Sequence, residues 1–240
     1  MLDKRTMINN GKRIIFLGSS VTYGSAAGGI SFADIICEKY GYEMIKEAVS
    51  GTTLIDENDE SYVKRIRGIK ADSADLFVCQ LSTNDASHDS PLGNITERKN
   101  LDSFDLSTVA GAIEYIIAYA RKEWKCPIAF YTGSRYDSEK YGNMVLLLKS
   151  IAQKWDIEII NLWDDPDFNS VNAEDYRLLT HHPSLKLLMN MKMLIDTKII
   201  ICLTILLNTR MIPRMQIAIT QVLNALLQRQ QPENYQKEIY

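Results

Sequence analysis

The sequence lacks the features that define several large classes of protein. Its 240 residues include four cysteines, none in a Cys-x-x-Cys pair, so no zinc motif or disulfide framework is indicated. A formal net charge of −3 gives no basic excess, which argues against nucleic acid as a partner. The longest apolar run, Ile199–Leu207, is too short to span a bilayer, and the first residues lack the apolar segment of a signal peptide. These absences favour a soluble cytoplasmic protein with reduced cysteines, most of them in the core.

The C-terminal part of the chain also stands out by what it lacks. No glycine follows Gly142, and no aromatic residue lies between Tyr176 and Tyr235. The same stretch is rich in methionine and in basic residues. This shift in composition divides the chain into one domain, residues 1–186, and an atypical extension, residues 187–240.

Strand-like and helix-like patterns alternate along residues 13–162. Short apolar runs bounded by turn residues predict five strands: Arg13–Leu17, Met44–Ala48, Leu76–Leu81, Ile128–Tyr131 and Ile157–Leu162. Amphipathic spacing predicts four helices: Ser31–Tyr40, Glu60–Ile69, Leu106–Glu123 and Glu139–Trp155. The third helix has the clearest apolar stripe, with Asp105 or Ser107 as its N-cap. Alternation of this kind gives parallel strands joined by helices, and hence a doubly wound α/β domain.

The run "RIIFLGSSVTYG" ends the first predicted strand at Gly18 and places Ser19, Ser20 and Thr22 in the turn that follows. The carboxyl end of a parallel strand is where an open α/β sheet presents its chemistry. A serine hydroxyl at such a position becomes a nucleophile when a base lies within hydrogen-bond reach. We therefore take Ser20 as the candidate nucleophile. The alternative is a polar turn whose serines bond only to the backbone.

Two further polar turns follow the second and third predicted strands. The run "AVSGTTL" places Gly51 after one strand, and "QLSTND" places Asn84 after the next. A glycine lets its backbone N–H approach a ligand, and an asparagine side chain offers two donors. Such donors stabilise the oxyanion that forms during acyl transfer. Each residue alone is more ordinary as part of a turn, but the sheet would gather both beside Ser20 at one edge.

The chain contains three histidines: His88, His181 and His182. Histidine titrates near neutrality, which suits a general base for an alcohol nucleophile. His181 and His182 stand directly before Pro183. His88 lies in the long polar loop after Asn84, where we expect it to be solvated or to face a substrate.

Taken together, these four motifs resemble the SGNH (GDSL-like) hydrolases, a family of serine esterases. The resemblance implies a flavodoxin-like three-layer domain with a five-stranded parallel sheet in the order 2-1-3-4-5. It also implies hydrolysis of a carboxylic ester, with Ser20 as the nucleophile and His182 as the base. The Ser20 N–H, the Gly51 N–H and the Asn84 side chain would form the oxyanion hole. The family resemblance implies no metal or organic cofactor and a small-molecule ester as substrate, from a carbohydrate or another small alcohol.

The sequence departs from the family pattern at three positions. Ser19 replaces an aspartate, Ser82 replaces a glycine, and Leu179 stands where the family has the aspartate that orients the histidine. Without that carboxylate, a backbone carbonyl orients the histidine of a Ser–His dyad, or His181 is the base, or the site is impaired. Two other functions therefore stay open. One is a catalytically impaired binding module, and the other is a nucleotide or phosphate binder that holds an anion on "GSSVTYGSAAGG".

Overall fold

The computed structural model of the chain describes residues 11–169, in which parallel strands alternate with helices. The strands are β1 (Arg13–Gly18), β2 (Glu43–Ala48), β3 (Leu76–Gln80), β4 (Ile128–Tyr131) and β5 (Glu158–Ile160). The helices are α1 (Ser20–Tyr23), α2 (Phe32–Tyr40), α3 (Tyr62–Arg65), α4 (Thr83–Ser87), α5 (Val109–Glu123), α6 (Glu139–Trp155) and α7 (Pro166–Asn169). All five predicted strands are present, and β5 is shorter than predicted. The second predicted helix is reduced to α3 and a 3₁₀ turn, Ile66–Gly68, which ends at a residue of poor helix propensity.

All five strands are parallel and lie in the order β2-β1-β3-β4-β5. Ile15 of β1 pairs with Ile45 of β2 on one side and with Phe77 of β3 on the other. The doubly wound fold and the strand order implied by the family resemblance are thus confirmed. Because the strands run in one direction, the segments that follow them emerge at the same edge of the sheet.

Alternate side chains of the central strands pack on opposite faces of the sheet. Leu17, Cys79 and Phe130 belong to a core that they share with α5 and α6. Phe16 faces the other side, where its ring meets that of Phe32 on α2 edge-on, with the centroids 6.0 Å apart. Helices therefore cover both faces, as a parallel sheet requires.

The start of α5 differs from the prediction. Its N-cap is Thr108, whose hydroxyl oxygen accepts the Gly111 N–H with an N···O distance of 3.2 Å. The prediction of Asp105 or Ser107 as the N-cap is wrong because these two residues bond to each other. The Asp105 carboxylate accepts the N–H and the hydroxyl of Ser107, and this small turn places both residues before the helix.

The segment between α4 and α5 is long and, apart from one 3₁₀ turn, irregular. An ion pair with a buried carboxylate attaches it to the rest of the domain. Glu114 of α5 is fully buried and accepts hydrogen bonds from the Thr96 N–H (3.0 Å) and the Trp155 indole (2.9 Å). The Lys154 ammonium pairs with Glu114 and also donates to the carbonyl oxygens of Thr96 and Arg98. These extra bonds satisfy the buried Glu114 carboxylate and the partly exposed Lys154 ammonium, so the segment is fixed to α5 and α6.

Several residues named from the sequence lie outside the described residues. These are His181, His182 and Leu179, together with the whole of the extension, residues 187–240. The three cysteines in the described part of the chain are buried, as predicted. No helix within residues 11–169 is long and apolar enough to cross a membrane.

Candidate active site

Close packing at the end of β1 shapes the turn that carries Ser20. Gly18 ends the strand, and a Cβ atom at this position would lie 1.7 Å from the hydroxyl oxygen of Thr22. Glycine is therefore required there, and the chain can turn back so that Ser20 begins α1. The Ser20 side chain is half-buried, and no described residue forms a hydrogen bond with its hydroxyl. None of residues 11–169 therefore occupies that hydroxyl.

A single buried amide oxygen holds this turn in place. Oε1 of Gln80, the last residue of β3, accepts the N–H of Ser19 (3.0 Å), the N–H of Thr22 (3.3 Å) and the Thr22 hydroxyl (2.8 Å). The Tyr131 hydroxyl at the end of β4 donates to the same oxygen at 3.1 Å. Gln80 is 2% exposed, so water does not compete for these bonds. The turn is thus tied to three strands, and no sequence pattern had identified Gln80.

Ser19 and Ser20 differ sharply in their surroundings. The Ser19 side chain is fully buried, and its hydroxyl makes no well-aligned hydrogen bond with a described residue. It lies beside the buried hydroxyl of Tyr62, which is likewise without a well-aligned partner among the described residues. Within the described residues, the Ser20 side chain is therefore partly exposed, whereas that of Ser19 is closed off.

The loop after β2 places Gly51 next to the Ser20 turn. Gly51 has a φ of +82°, and a Cβ atom on it would meet nothing within 4 Å, so glycine is needed there for its backbone conformation and not for space. Two hydrogen bonds join this loop to the segment after β1. The Val49 N–H donates to the Gly18 carbonyl at 3.3 Å, and the hydroxyls of Ser50 and Ser25 bond to each other.

Asn84 joins the third loop to the second. It lies in the first turn of α4, where the Ser82 hydroxyl oxygen accepts its N–H at 3.1 Å. Its side-chain Nδ2 donates to the Thr52 carbonyl oxygen at 2.8 Å, and the Ser82 hydroxyl donates to the same oxygen at 3.0 Å. The side chain therefore reaches across to another loop instead of closing an Asx turn. One N–H of its amide is left for a ligand.

Asp85 fixes the far side of the Gly51 loop. Its carboxylate is fully buried and accepts the N–H groups of Leu54 (2.8 Å) and Ile55 (3.3 Å). Burial raises the pKa of the Asp85 carboxyl to about 6, although the two N–H groups partly oppose this shift. Asp85 is thus an anchor of the loop and not a group that faces substrate.

His88 lies on the surface at the end of α4. Its Nδ1 is 3.1 Å from Oε2 of Glu57, and both side chains are over 40% exposed. The same carboxylate oxygen accepts the Thr53 hydroxyl at 3.1 Å. His88 is therefore solvated, as one of the two sequence-based expectations had it, and it is paired with an acid from the Gly51 loop.

Among residues 11–169, no three His, Cys, Asp or Glu side chains come together as metal ligands would. The described part of the site consists of hydroxyl, amide and backbone N–H groups at the ends of β1, β2 and β3. Groups of these types can attack a carbonyl carbon and stabilise the oxyanion that results.

Several solved structures share this architecture, and some of them are described as esterases or lipases. A protein from Lactobacillus plantarum matches with a TM-score of 0.63 at 18% identity, over 78% of this chain and 94% of its own. A protein from Bacteroides ovatus, described as a GDSL-like lipase, matches with a TM-score of 0.51 at 20% identity, over 64% of this chain and 86% of its own. The chain has the GDSL-type hydrolase fold.

An acetyl xylan esterase shares this GDSL-type fold, with a TM-score of 0.53 at 14% identity, over 78% of this chain and 97% of its own. Neither a protein-family model nor a curated protein sequence matches the chain. The likeness is therefore one of fold, and it confirms the architecture that the sequence motifs had indicated.

Proposed function

We propose that this chain is a serine hydrolase that cleaves a carboxylic ester through Ser20. One observation carries the proposal: the loops that hold Ser20, Gly51 and Asn84 follow three adjacent parallel strands and are hydrogen-bonded to one another at one edge of the sheet. In a fold shared with esterases, these residues supply the nucleophile and the oxyanion donors that acyl transfer requires.

In the proposed reaction, the Ser20 oxygen attacks the ester carbonyl carbon. The carbonyl oxygen gains negative charge as the tetrahedral intermediate forms, and it needs donors already in place. The backbone N–H of Gly51 and the second N–H of the Asn84 amide are two such donors, because neither is used by another described group. Collapse of the intermediate releases the alcohol and leaves an acyl group on Ser20.

His182 is the base in this proposal. It takes the proton of the Ser20 hydroxyl, passes it to the departing alcohol and then activates the water that removes the acyl group. His181, its neighbour, is the alternative base. Since Leu179 stands in place of an orienting aspartate, we propose that a backbone carbonyl holds the imidazole and that the enzyme is slow.

The substrate is proposed to be a small-molecule ester. The acetyl xylan esterase with this fold suggests an acetylated carbohydrate as one class to test. The nucleotide or phosphate binder is less well supported, because α1 spans only four residues and supplies little of the dipole that an anion site at a helix N-terminus uses.

A catalytically impaired binding module is the second candidate, and Leu179 is the observation that favours it. A fluorophosphonate probe separates the two, because only an activated serine reacts with it. We expect mass spectrometry to find the adduct on Ser20 in the parent and in Ser19→Ala, and none in Ser20→Ala. A parent chain that is neither labelled nor able to hydrolyse p-nitrophenyl acetate would exclude the esterase and leave the binding module.

A further inference from the structure

Arg65, at the end of α3, lies between the loops of the candidate site with its side chain 8% exposed. All five of its N–H donors are used. Nε donates to the Glu60 carbonyl (2.6 Å), and Nη1 donates to the carbonyl (3.1 Å) and carboxylate (3.2 Å) of Glu47. Nη2 donates to the Gly18 carbonyl (2.9 Å) and the Thr52 hydroxyl (3.0 Å). A planar guanidinium is the side chain that can serve so many fixed acceptors at once.

The two hydrogen bonds of Nη2 connect two segments of the candidate site. Gly18 directly precedes the Ser19–Ser20 turn, and Thr52 directly follows Gly51. One nitrogen atom therefore bridges the segment that carries the nucleophile and the segment that carries an oxyanion donor, beside the Val49–Gly18 hydrogen bond described above. The frame extends further, because the Thr52 carbonyl oxygen accepts the Asn84 side chain.

The positive charge of Arg65 is compensated by neighbouring groups of the protein. The Glu47 carboxylate lies 3.2 Å from Nη1, and the tyrosine ring of Tyr62 lies 5.0 Å from the guanidinium carbon. All five N–H groups are already bonded, so none is free to bind the oxyanion. Arg65 therefore acts on the reaction through geometry and not by direct contact with the substrate.

We infer that Arg65 is a positioning residue that fixes the spacing between Ser20 and the Gly51 N–H in the ester hydrolysis proposed above. An oxyanion donor works only at hydrogen-bond distance from the reacting oxygen, and a displacement of about 1 Å costs roughly 10²-fold in rate. The expected effect on kcat rests on the proposed function. The expected effect on the spacing of the two loops rests on the hydrogen bonds alone.

Arg65→Lys is the informative substitution. Lysine keeps the positive charge beside Glu47, but its three donors on a single atom cannot bridge Gly18, Thr52 and Glu47 together. We expect kcat for p-nitrophenyl acetate to fall about 10–100-fold, with KM changed less than about 3-fold. Arg67→Lys is the matched control. Arg67 is exposed, bonds the Tyr115 hydroxyl at 2.7 Å and touches no site loop, so kcat should stay at the parental value.

Hydrogen exchange measured by mass spectrometry tests the structural part without any activity. Arg65→Lys should increase exchange in both residues 18–24 and residues 49–53, whereas Arg67→Lys should change neither. If Arg65→Lys does not fold, Thr52→Val is the second variant. It removes the hydroxyl that accepts from Nη2 at 3.0 Å and that also donates to the Val49 carbonyl oxygen at 2.7 Å. It should reproduce the kcat loss and speed exchange in residues 18–24, which the bond to Val49 does not contact.

The outcomes are distinct. The positioning role is overturned if the Arg65→Lys protein has the parental kcat or the parental rate of hydrogen exchange. If Arg65→Lys is unfolded, the same results in Thr52→Val overturn it. A parent that neither hydrolyses the ester nor reacts with the fluorophosphonate overturns the proposed function instead. In that case exchange in the two segments alone decides whether Arg65 sets their spacing.

Discussion

The side-chain amide of Asn84 donates to the backbone carbonyl oxygen of Thr52 across 2.8 Å. This hydrogen bond joins the loop after β3 directly to the loop after β2. The bond also fixes the orientation of the amide, because a carbonyl oxygen accepts only from the NH₂ group. The direction of the second N–H of the Asn84 amide is therefore fixed in advance, and this N–H does not have to reorient when charge develops on a bound ester.

Asn84→Ala should lower kcat about 10²–10³-fold with a smaller effect on KM, because the lost donor acts on the transition state. Asn84→Asp should be as slow, since a carboxylate offers no donor and would face the Thr52 carbonyl oxygen. Steady-state kinetics with p-nitrophenyl acetate measure both effects, with Ser87→Ala, an exposed residue of the same helix, as the control. An unchanged kcat in both variants would assign Asn84 to loop structure alone.

Ser20→Ala should abolish ester hydrolysis and leave the melting temperature close to that of the parent, because its hydroxyl bonds to no described group. Ser19→Ala should retain activity. It should also be no less stable, since it removes a buried hydroxyl that lacks a well-aligned partner. Kinetics and thermal melting of the two variants make the comparison. Equal activity in both variants and the parent would place the nucleophile elsewhere.

His182→Ala should remove most activity, whereas His88→Ala should not, because His88 is paired with Glu57 at the surface. Leu179→Asp should raise kcat by bringing a carboxylate to the imidazole. We expect a gain below the roughly 10⁴-fold that an orienting aspartate supplies in a well-studied protease. A probe-reactive Ser20 that does not respond to Leu179→Asp would mean that a backbone carbonyl holds the histidine.

Gln80→Met should cost about 3 kcal/mol in free energy of unfolding, because it leaves the buried N–H groups of Ser19 and Thr22 without an acceptor. It should also lower kcat, since these bonds hold the Ser20 turn. Urea unfolding and kinetics measure the two effects. Gln153→Met, at an exposed position of α6, is the matched control and should alter neither. A stable, fully active Gln80→Met protein would show that the turn holds its own shape.

Asp85 should make stability depend on pH in mildly acidic solution. Its pKa is about 6 in the fold and 3.8 in an unfolded reference, so the folded state holds one more proton between these values. This contribution to stability is complete below pH 3.8 and is lost as pH rises through 6, with a size of about 3 kcal/mol. Thermal melting from pH 3.5 to 7 should show the effect in the parent. In Asp85→Asn it should be absent, although that variant is less stable overall. The same pH dependence in Asp85→Asn would assign it to another group.

The sequence predicted the strands well, because buried parallel strands are near-continuous apolar runs, whereas their order was predicted by the family resemblance. The loops that carry Ser20, Gly51 and Asn84 were predicted for the same reason, since each follows such a run. Helix starts were predicted less well. The cap of α5 was misplaced because Asp105 and Ser107 satisfy each other in a turn, a competition that residue types alone do not resolve.

The residues that hold the site together gave no signal in the sequence. Gln80 sits inside an apolar strand and resembles an ordinary polar residue at its end. Arg65 sits in a stretch of charged residues typical of a solvated helix face. Their roles depend on contacts with residues 13 to 61 positions away, and the longest of these contacts exist only once the sheet has formed.

The ion pair of Glu114 and Lys154 has a consequence for biosynthesis. Lys154 follows Thr96, whose carbonyl it binds, by 58 residues. At a translation rate of about 5–20 residues per second, the lysine is made roughly 3–12 s after the segment that it fastens. A ribosome-bound chain that ends before residue 154 therefore already contains the Ser20 turn and the Gly51 loop. The stretch beyond Asn84 still lacks its hydrogen bonds to Lys154. The bonds of Lys154 to this stretch form only after α6 has been made.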